Sequence, residues 1–312
     1  MLDAVDDTRF RILSLDGGGA KGFYTLGVLR EVEALAGRRL CEVFDLIFGT
    51  STGAIISALL SLGYRVDEIL QAYRSHVVAI MSARGRAAKS QALAELGDQV
   101  FGQRRFDECL TGVGIVATKW IIERPMIFKA SVAQAHGRIS TFVPGFGCTI
   151  SDAVQASCSA YPFFNRKTVT TATGETIELA DGGYCANNPS LYAMADATKA
   201  LGIEPDKLRV LSVGVGEYPA KTPRLADPMF WLGKFEESKI VQKTFDINTQ
   251  SMEQLRHVLF KDVQTIRIND AYTQPDMATD MFENDMAKLS VLTQRGAESF
   301  AARENIIRKL IL

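Results

Sequence analysis

The chain has 312 residues, 47% hydrophobic and 23% charged, with a formal net charge of −1 at pH 7. That length supports one large domain or two small ones with a sizeable core, and the mix excludes disordered and fibrous classes. A near-neutral balance excludes bulk electrostatic binding to DNA or RNA, which needs a basic face.

The opening "MLDAVDDTRF" carries three acids and no apolar run, so it is not a secretory signal. "RILSL" (Arg11 to Leu15) is a short apolar run ending in glycines, as a buried parallel strand is. "YTLGVLREVEAL" (Tyr24 to Leu35) then spaces Leu26, Leu29, Val32 and Leu35 as one face of a helix. "VFDLIF" (Val43 to Phe48) reads as a second strand and "AIISALLSL" as a second helix. Strand, glycine loop, helix, strand, glycine turn, helix predicts an α/β fold with a parallel sheet. Residues 66–112 read as a helical insertion without a strand. Further strands are predicted at "MIFKAS", "IELA" and "RVLSVGV", separated by the helical "SDAVQASCSA" and "SLYAMADATKAL". Beyond Pro219 the pattern is irregular, then helical over about 236–312, with "TIRIN" an edge strand. The simplest organisation is a single domain over 1–312. The longest apolar-leaning stretch, "GAIISALLSLGY", falls well short of the roughly 20 residues that span a bilayer, so no transmembrane helix is expected. Five scattered cysteines (Cys41, Cys109, Cys148, Cys158, Cys185) without a C-x-x-C pair read as buried thiols in a reducing compartment, with the cytoplasm the default location.

Two glycine loops carry the chemistry. The first, "DGGGAKG" (Asp16 to Gly22), matches the spacing of a dinucleotide fingerprint, Gly17-x-Gly19-x-x-Gly22. That reading also calls for an acid ending the second strand, which instead runs from Phe48 and Gly49 into a serine turn. The same glycines can point backbone N–H groups at one spot near a helix N-terminus, to hold an oxyanion or a phosphate. Lys21 can add charge there or form a surface salt bridge. The second loop, Gly49-Thr50-Ser51-Thr52-Gly53, matches G-x-S-x-G between a strand and a helix, the context of a nucleophile elbow.

A serine nucleophile needs a positioned base. The chain has only three histidines, His76, His136 and His257, none in an obvious catalytic setting. His257 reads as a polar helix position and His136 as a turn residue. "ELADGGYCANNPS" places Asp181 at the end of an apolar strand, where open α/β sheets collect functional groups. An aspartate there can serve as general base, and Asp before Gly-Gly is equally a common turn choice.

"DGGGAKG", "GTSTG" and "DGG" in this order resemble the patatin-like phospholipases, lipid acyl hydrolases with a Ser–Asp dyad. The resemblance implies a three-layer α/β/α fold with a mostly parallel central sheet and helical insertions. It makes Ser51 the nucleophile and Asp181 the general base, and it requires no histidine. Gly17, Gly18 and Gly19 would form the oxyanion hole, with Lys21, Gly22, Gly49, Gly53, Gly182 and Gly183 supporting the motifs. It implies membrane glycerophospholipid as substrate, no cofactor for catalysis, and a peripheral position at the inner face of the membrane.

"SCSAYPFF" (Ser157 to Phe164) is a candidate acyl-chain lining, or ordinary core. "MFWLGKF" (Met229 to Phe235) is a candidate membrane contact. Arg74, Arg84, Arg86, Lys89, Arg104 and Arg105 concentrate positive charge in the insertion, either as a solvated face or for phosphate binding. The carboxy-terminal part is similar to that of bacterial patatin-like effectors of cyclic-oligonucleotide antiphage signalling. That similarity implies a cyclic di- or trinucleotide activator, with a homo-oligomer as a candidate assembly. The rival readings are a constitutive patatin-like lipase of lipid turnover, a dinucleotide-binding oxidoreductase and a non-catalytic binding module.

Overall fold

The computed structural model describes residues 9–221 and 234–312, except for the side chains of 234–238. The apolar cluster Met229 to Phe235 therefore lies outside the described residues. Eight strands form one mixed sheet. They are β1 (Phe10–Leu15), β2 (Leu46–Thr50), β3 (Gly112–Lys119), β4 (Arg124–Lys129), β5 (Lys167–Thr170), β6 (Thr176–Asp181), β7 (Leu208–Val213) and β8 (Gln264–Ile268). The path runs β5-β6-β3-β2-β1-β7-β8, with β4 paired to β3. β1, β2, β3, β7 and β8 pair in parallel, while β4 and β6 run against them and β5, antiparallel to β6, runs with them.

The helices are α1 (Gly22–Ala36), α2 (Thr52–Ser61), α3 (Val66–Ala72), α4 (Val78–Ser82), α5 (Arg86–Leu96), α6 (Ile150–Ser157), α7 (Gly183–Ala186), α8 (Ser190–Ala195), α9 (Lys234–Leu259), α10 (Met286–Ala301) and α11 (Glu304–Ile311). Strand residues alternate between two cores on opposite faces of the sheet. Leu13, Leu15 and Ile47 join the larger core with α1, α2, α6 and α10, while Ile12, Leu46 and Phe48 join the smaller one with α8. Both faces are covered, so the parallel strands are nearly continuous apolar runs. This is the three-layer α/β/α arrangement with a mostly parallel sheet.

The expected helical insertion forms α3, α4 and α5, with single π-helical turns at Tyr73–Val77 and Gly97–Phe101. "TIRIN" overlaps β8, which lies at the edge of the sheet beside β7.

The sequence reading missed β3, and β3 sets the geometry of the site. Along one edge β3 pairs with β4. Along the other, β2 pairs with Gly112–Val116 and β6 with Ala117–Lys119. Thr50 of β2 and Asp181 of β6 therefore sit opposite Val116 and Ala117, successive residues of one strand. Two strands of opposite direction meet at their carboxyl ends, and Ser51 and Asp181 lie at the junction.

Candidate active site

Ser51 occupies the turn between β2 and α2 with φ 53° and ψ −121°, a region L-residues rarely adopt. The turn is tight enough that a Cβ at Gly53 would sit 2.3 Å from the Leu15 carbonyl oxygen. Gly49 lies on the strand side of the same turn and Gly53 on the helix side. The Ser51 amide donates to Ser157 Oγ at 2.9 Å, and the Tyr73 hydroxyl donates to the Thr52 carbonyl at 2.7 Å. The π-helical turn of the insertion thus braces the elbow. Such turns commonly mark functional positions.

The Ser51 hydroxyl donates to Asp181 Oδ2 at 2.8 Å across 130 positions of sequence. Asp181 is fully buried, and its Oδ1 accepts the Gly183 amide at 2.7 Å. Burial pushes the carboxyl up to about 7, against the Gly183 amide and Ser51 hydroxyl, which pull it down. Gly182 follows in the turn, its amide bonded to the Ser157 carbonyl at 3.2 Å. Chemically, this is a serine hydroxyl held on an acceptor that changes charge near neutrality.

The glycine loop faces the elbow. Asp16 makes a two-pronged buried ion pair with Arg267 of β8, 251 positions away, and Arg267 also donates to Ser212 Oγ at 2.8 Å. Gly19 has φ +60°, and a Cβ there would sit 2.3 Å from the Met281 carbonyl oxygen, which accepts the Ala20 amide at 3.0 Å. Gly22 opens α1. One expectation needs correction. The Gly17 amide donates to the Asn187 carbonyl at 3.0 Å, so it is occupied, whereas the Gly18 and Gly19 amides have no acceptor among the described residues. The donors left for an oxyanion are therefore Gly18 and Gly19.

A narrow apolar pocket runs from Ser51 between the insertion and the sheet, lined by Ile55, Val77, Ile80, Leu93, Phe164 and Met281 among others. Cys158, Ala160 and Phe164 of "SCSAYPFF" contribute to this wall.

Comparison with known proteins places these features. The family described as "Patatin-like phospholipase" matches residues 13–194, the span holding both glycine loops and Asp181. The chain belongs to the patatin-like phospholipase family. A "cUMP-AMP-activated phospholipase" of Escherichia coli is 57% identical over 98% of this chain and 95% of its own length. A "cGAMP-activated phospholipase" of Escherichia coli (strain TW11681) is 27% identical over 74% of this chain and 69% of its own. A human "Calcium-independent phospholipase A2-gamma" is 29% identical over 70% of this chain and 29% of that protein.

The remaining candidates fall elsewhere in this patatin-like chain. His136 bonds Asp196 at 2.6 Å, and His257 is exposed on α9. The second strand passes straight into Ser51, leaving no acid at its end for a dinucleotide ribose. Lys21 forms no surface salt bridge: it is 6% exposed, with no carboxylate in ion-pair range among the described residues. Four of the six insertion cations make contacts within the fold, while Arg74 and Arg84 are exposed. Lys89 donates to the Ile80 and Met81 carbonyls at 3.1 and 2.6 Å, Arg86 lies over Tyr161 and Arg104 over Tyr64, and Arg105 donates to the Gly147 carbonyl at 2.8 Å. Sequence reasoning missed Tyr73, Ser157, Asn187 and Arg267. Each acts through a contact distant in sequence, so no local motif marks it. No helix among the described residues is long and apolar enough to cross a membrane, and none of their His, Cys, Asp and Glu side chains cluster as a metal site.

Proposed function

We propose that this patatin-like chain is a single catalytic unit that hydrolyses acyl esters of membrane glycerophospholipids with Ser51 as nucleophile and Asp181 as general base, and that a cyclic dinucleotide switches it on. The observation that carries the chemistry is the 2.8 Å hydrogen bond from Ser51 Oγ to buried Asp181 at the mouth of an apolar pocket. Asp181 takes the hydroxyl proton as Oγ bonds to the ester carbonyl carbon. The carbonyl oxygen gains the charge and sits against the Gly18 and Gly19 amides. The intermediate collapses to an acyl-Ser51, and the proton passes from Asp181 to the departing lysolipid alkoxide. Water then gives a proton to Asp181 as it attacks the acyl carbon, and Asp181 returns that proton to Ser51 Oγ as the acyl bond breaks, releasing fatty acid and free Ser51. The apolar pocket holds the acyl chain. The similarity to two phospholipases named for cyclic-nucleotide activation supports the switch.

The test is release of fatty acid from fluorogenic phospholipid vesicles, with and without cyclic UMP-AMP and related dinucleotides. Hydrolysis that needs the nucleotide supports the whole reading, while full hydrolysis without it returns the chain to constitutive lipid turnover. Reaction of Ser51 with a fluorophosphonate probe reports the nucleophile separately.

The base titrates in a useful range. Asp181 must be ionised to accept a proton, and its carboxyl stands at about 7. Turnover (kcat/KM) is therefore expected to be flat in the alkaline range and to fall about tenfold per pH unit below about pH 7. A profile from about pH 5 to about pH 9 that stays flat would remove Asp181 from the proton transfer.

The hairpin joining β3 and β4 supports peripheral contact with the bilayer. It extends beyond the carboxyl end of β2, the side on which Ser51 lies, and its tip exposes Ile121 (77%) and Ile122 (53%). Trp120 stands at its base against Tyr161 and Tyr184. Aliphatic tips beside an aromatic suit a lipid–water boundary. The variant I121E/I122E is expected to hydrolyse vesicles about tenfold or more slowly while cleaving a soluble short-chain ester normally.

A further inference from the structure

A second pocket, of about 750 Å³, opens on the glycine loop and is polar where the first is apolar. It is walled by Asp16 and Gly17 after β1, Val215 to Tyr218 after β7, and Asn269 after β8. From β1 the chain goes to β2 on one side, whereas β7 and β8 lie on the other. The pocket is therefore the crevice at the carboxyl ends of the strands where the strand order reverses, the place at which open α/β sheets bind ligands.

Its lining asks for an anion that also carries hydrogen-bonding groups. Lys21, buried and without an ion-pair partner, lines the pocket and is the one lining cation among the described residues, beside the carboxylates of Asp16, Glu217 and Asp246. A buried ammonium without a partner is costly, and a bound anion relieves that cost. The Tyr218 hydroxyl and Asn187 Oδ1, on the same lining, are also buried without partners among the described residues. Opposite them α9 contributes Gln242, Asp246 and Gln250, spaced four apart on one helix face. Glu217 is already engaged, accepting from Asn269 at 3.0 Å and Gln250 at 3.1 Å.

We propose that this crevice is the activator site, taking a cyclic dinucleotide with one phosphodiester on Lys21 and its ribose hydroxyls and base edges on the Asp246–Gln250 face. The inference deepens the activation reading above and rests on it. A phospholipid headgroup shares the phosphodiester, but it offers no base edges to the amide and carboxylate groups on α9. The site adjoins the catalytic one through a shared wall. Gly17 exchanges hydrogen bonds with Asn187 (3.0 and 3.3 Å), and a Cβ on Gly17 would lie 3.1 Å from Ser51 Cβ. A ligand drawing on Asp16, Gly17 and Lys21 thus sets the loop that carries the Gly18 and Gly19 amides.

The test is calorimetric titration of cyclic UMP-AMP into the full chain carrying Ser51→Ala, which uncouples binding from hydrolysis. Lys21→Met and, separately, D246A/Q250A are each expected to weaken binding about 10- to 100-fold. In chains with Ser51 intact, the concentration that half-activates vesicle hydrolysis should rise in step. A soluble dihexanoyl phosphatidylglycerol is expected not to displace the nucleotide, and competitive displacement would instead assign the crevice to the headgroup. Nucleotide that activates the wild-type chain but binds both variants normally would overturn the placement and leave activation standing. A wild-type chain that neither binds nor responds to any cyclic dinucleotide would overturn the activation reading itself.

Discussion

Asp181→Asn is expected to reduce phospholipid hydrolysis by about 10²- to 10⁴-fold and, at the same time, to make the protein more stable in alkaline solution. The loss follows from removing the group that accepts the Ser51 proton. The asparagine still offers Oδ1 to the Gly183 amide, so the turn keeps its shape. The gain follows from burial. The carboxyl ionises at about 7 in the folded chain against an ordinary 3.8, so the folded state binds this proton more tightly than the unfolded state does. Stability from this group is complete at low pH and is lost as pH rises through about 7. Full ionisation costs about 4 kcal/mol at most, which asparagine never incurs. Urea unfolding should therefore separate variant from wild type at about pH 8 and bring them together at about pH 4. Near-wild-type hydrolysis by the variant would dismiss the dyad. Ser51→Ala serves as the companion, with hydrolysis and fluorophosphonate labelling both absent.

Arg267→Ala is expected to destabilise the chain by about 3–5 kcal/mol and to disable the site without touching it. Asp16 and Arg267 are both largely buried, with side chains 3% and 17% exposed. Removing the arginine leaves a carboxylate in a dry setting without its two donors, at the first residue of the glycine loop. Asp16→Asn in the same chain should restore part of the stability, because the orphaned charge is gone. It should restore less of the activity, because the loop still lacks its anchor. Denaturant midpoints for the two single variants and the double variant measure the coupling, and additive effects would mean that the pair does not hold the loop.

The three motifs were legible because their chemistry is local. Adjacent glycines, the serine between them and the aspartate at a strand end announce tight turns within a few residues. The strand–loop–helix alternation placed them on the right elements for the same reason. Less local features were hidden. "GVGIVATK" carries two glycines that weaken its strand pattern, yet it is the strand along which β2 and β6 meet. Arg267 alternates with Ile266 and Ile268 in an ordinary edge-strand pattern, and its partner is 251 positions away. The Gly17 amide looked as free as its neighbours until the fold brought the Asn187 carbonyl to it. Local sequence spacing says which groups can do chemistry, whereas the sheet decides which are already spoken for.

The Asp16–Arg267 pair also has a consequence for timing. During synthesis Ser51 and the glycine loop leave the ribosome early, and Asp181 follows. The loop lacks its Asp16–Arg267 ion pair until β8 has emerged and taken its place beside β7. A growing chain thus carries Ser51 for most of its translation before the glycine loop gains the ion pair at its first residue.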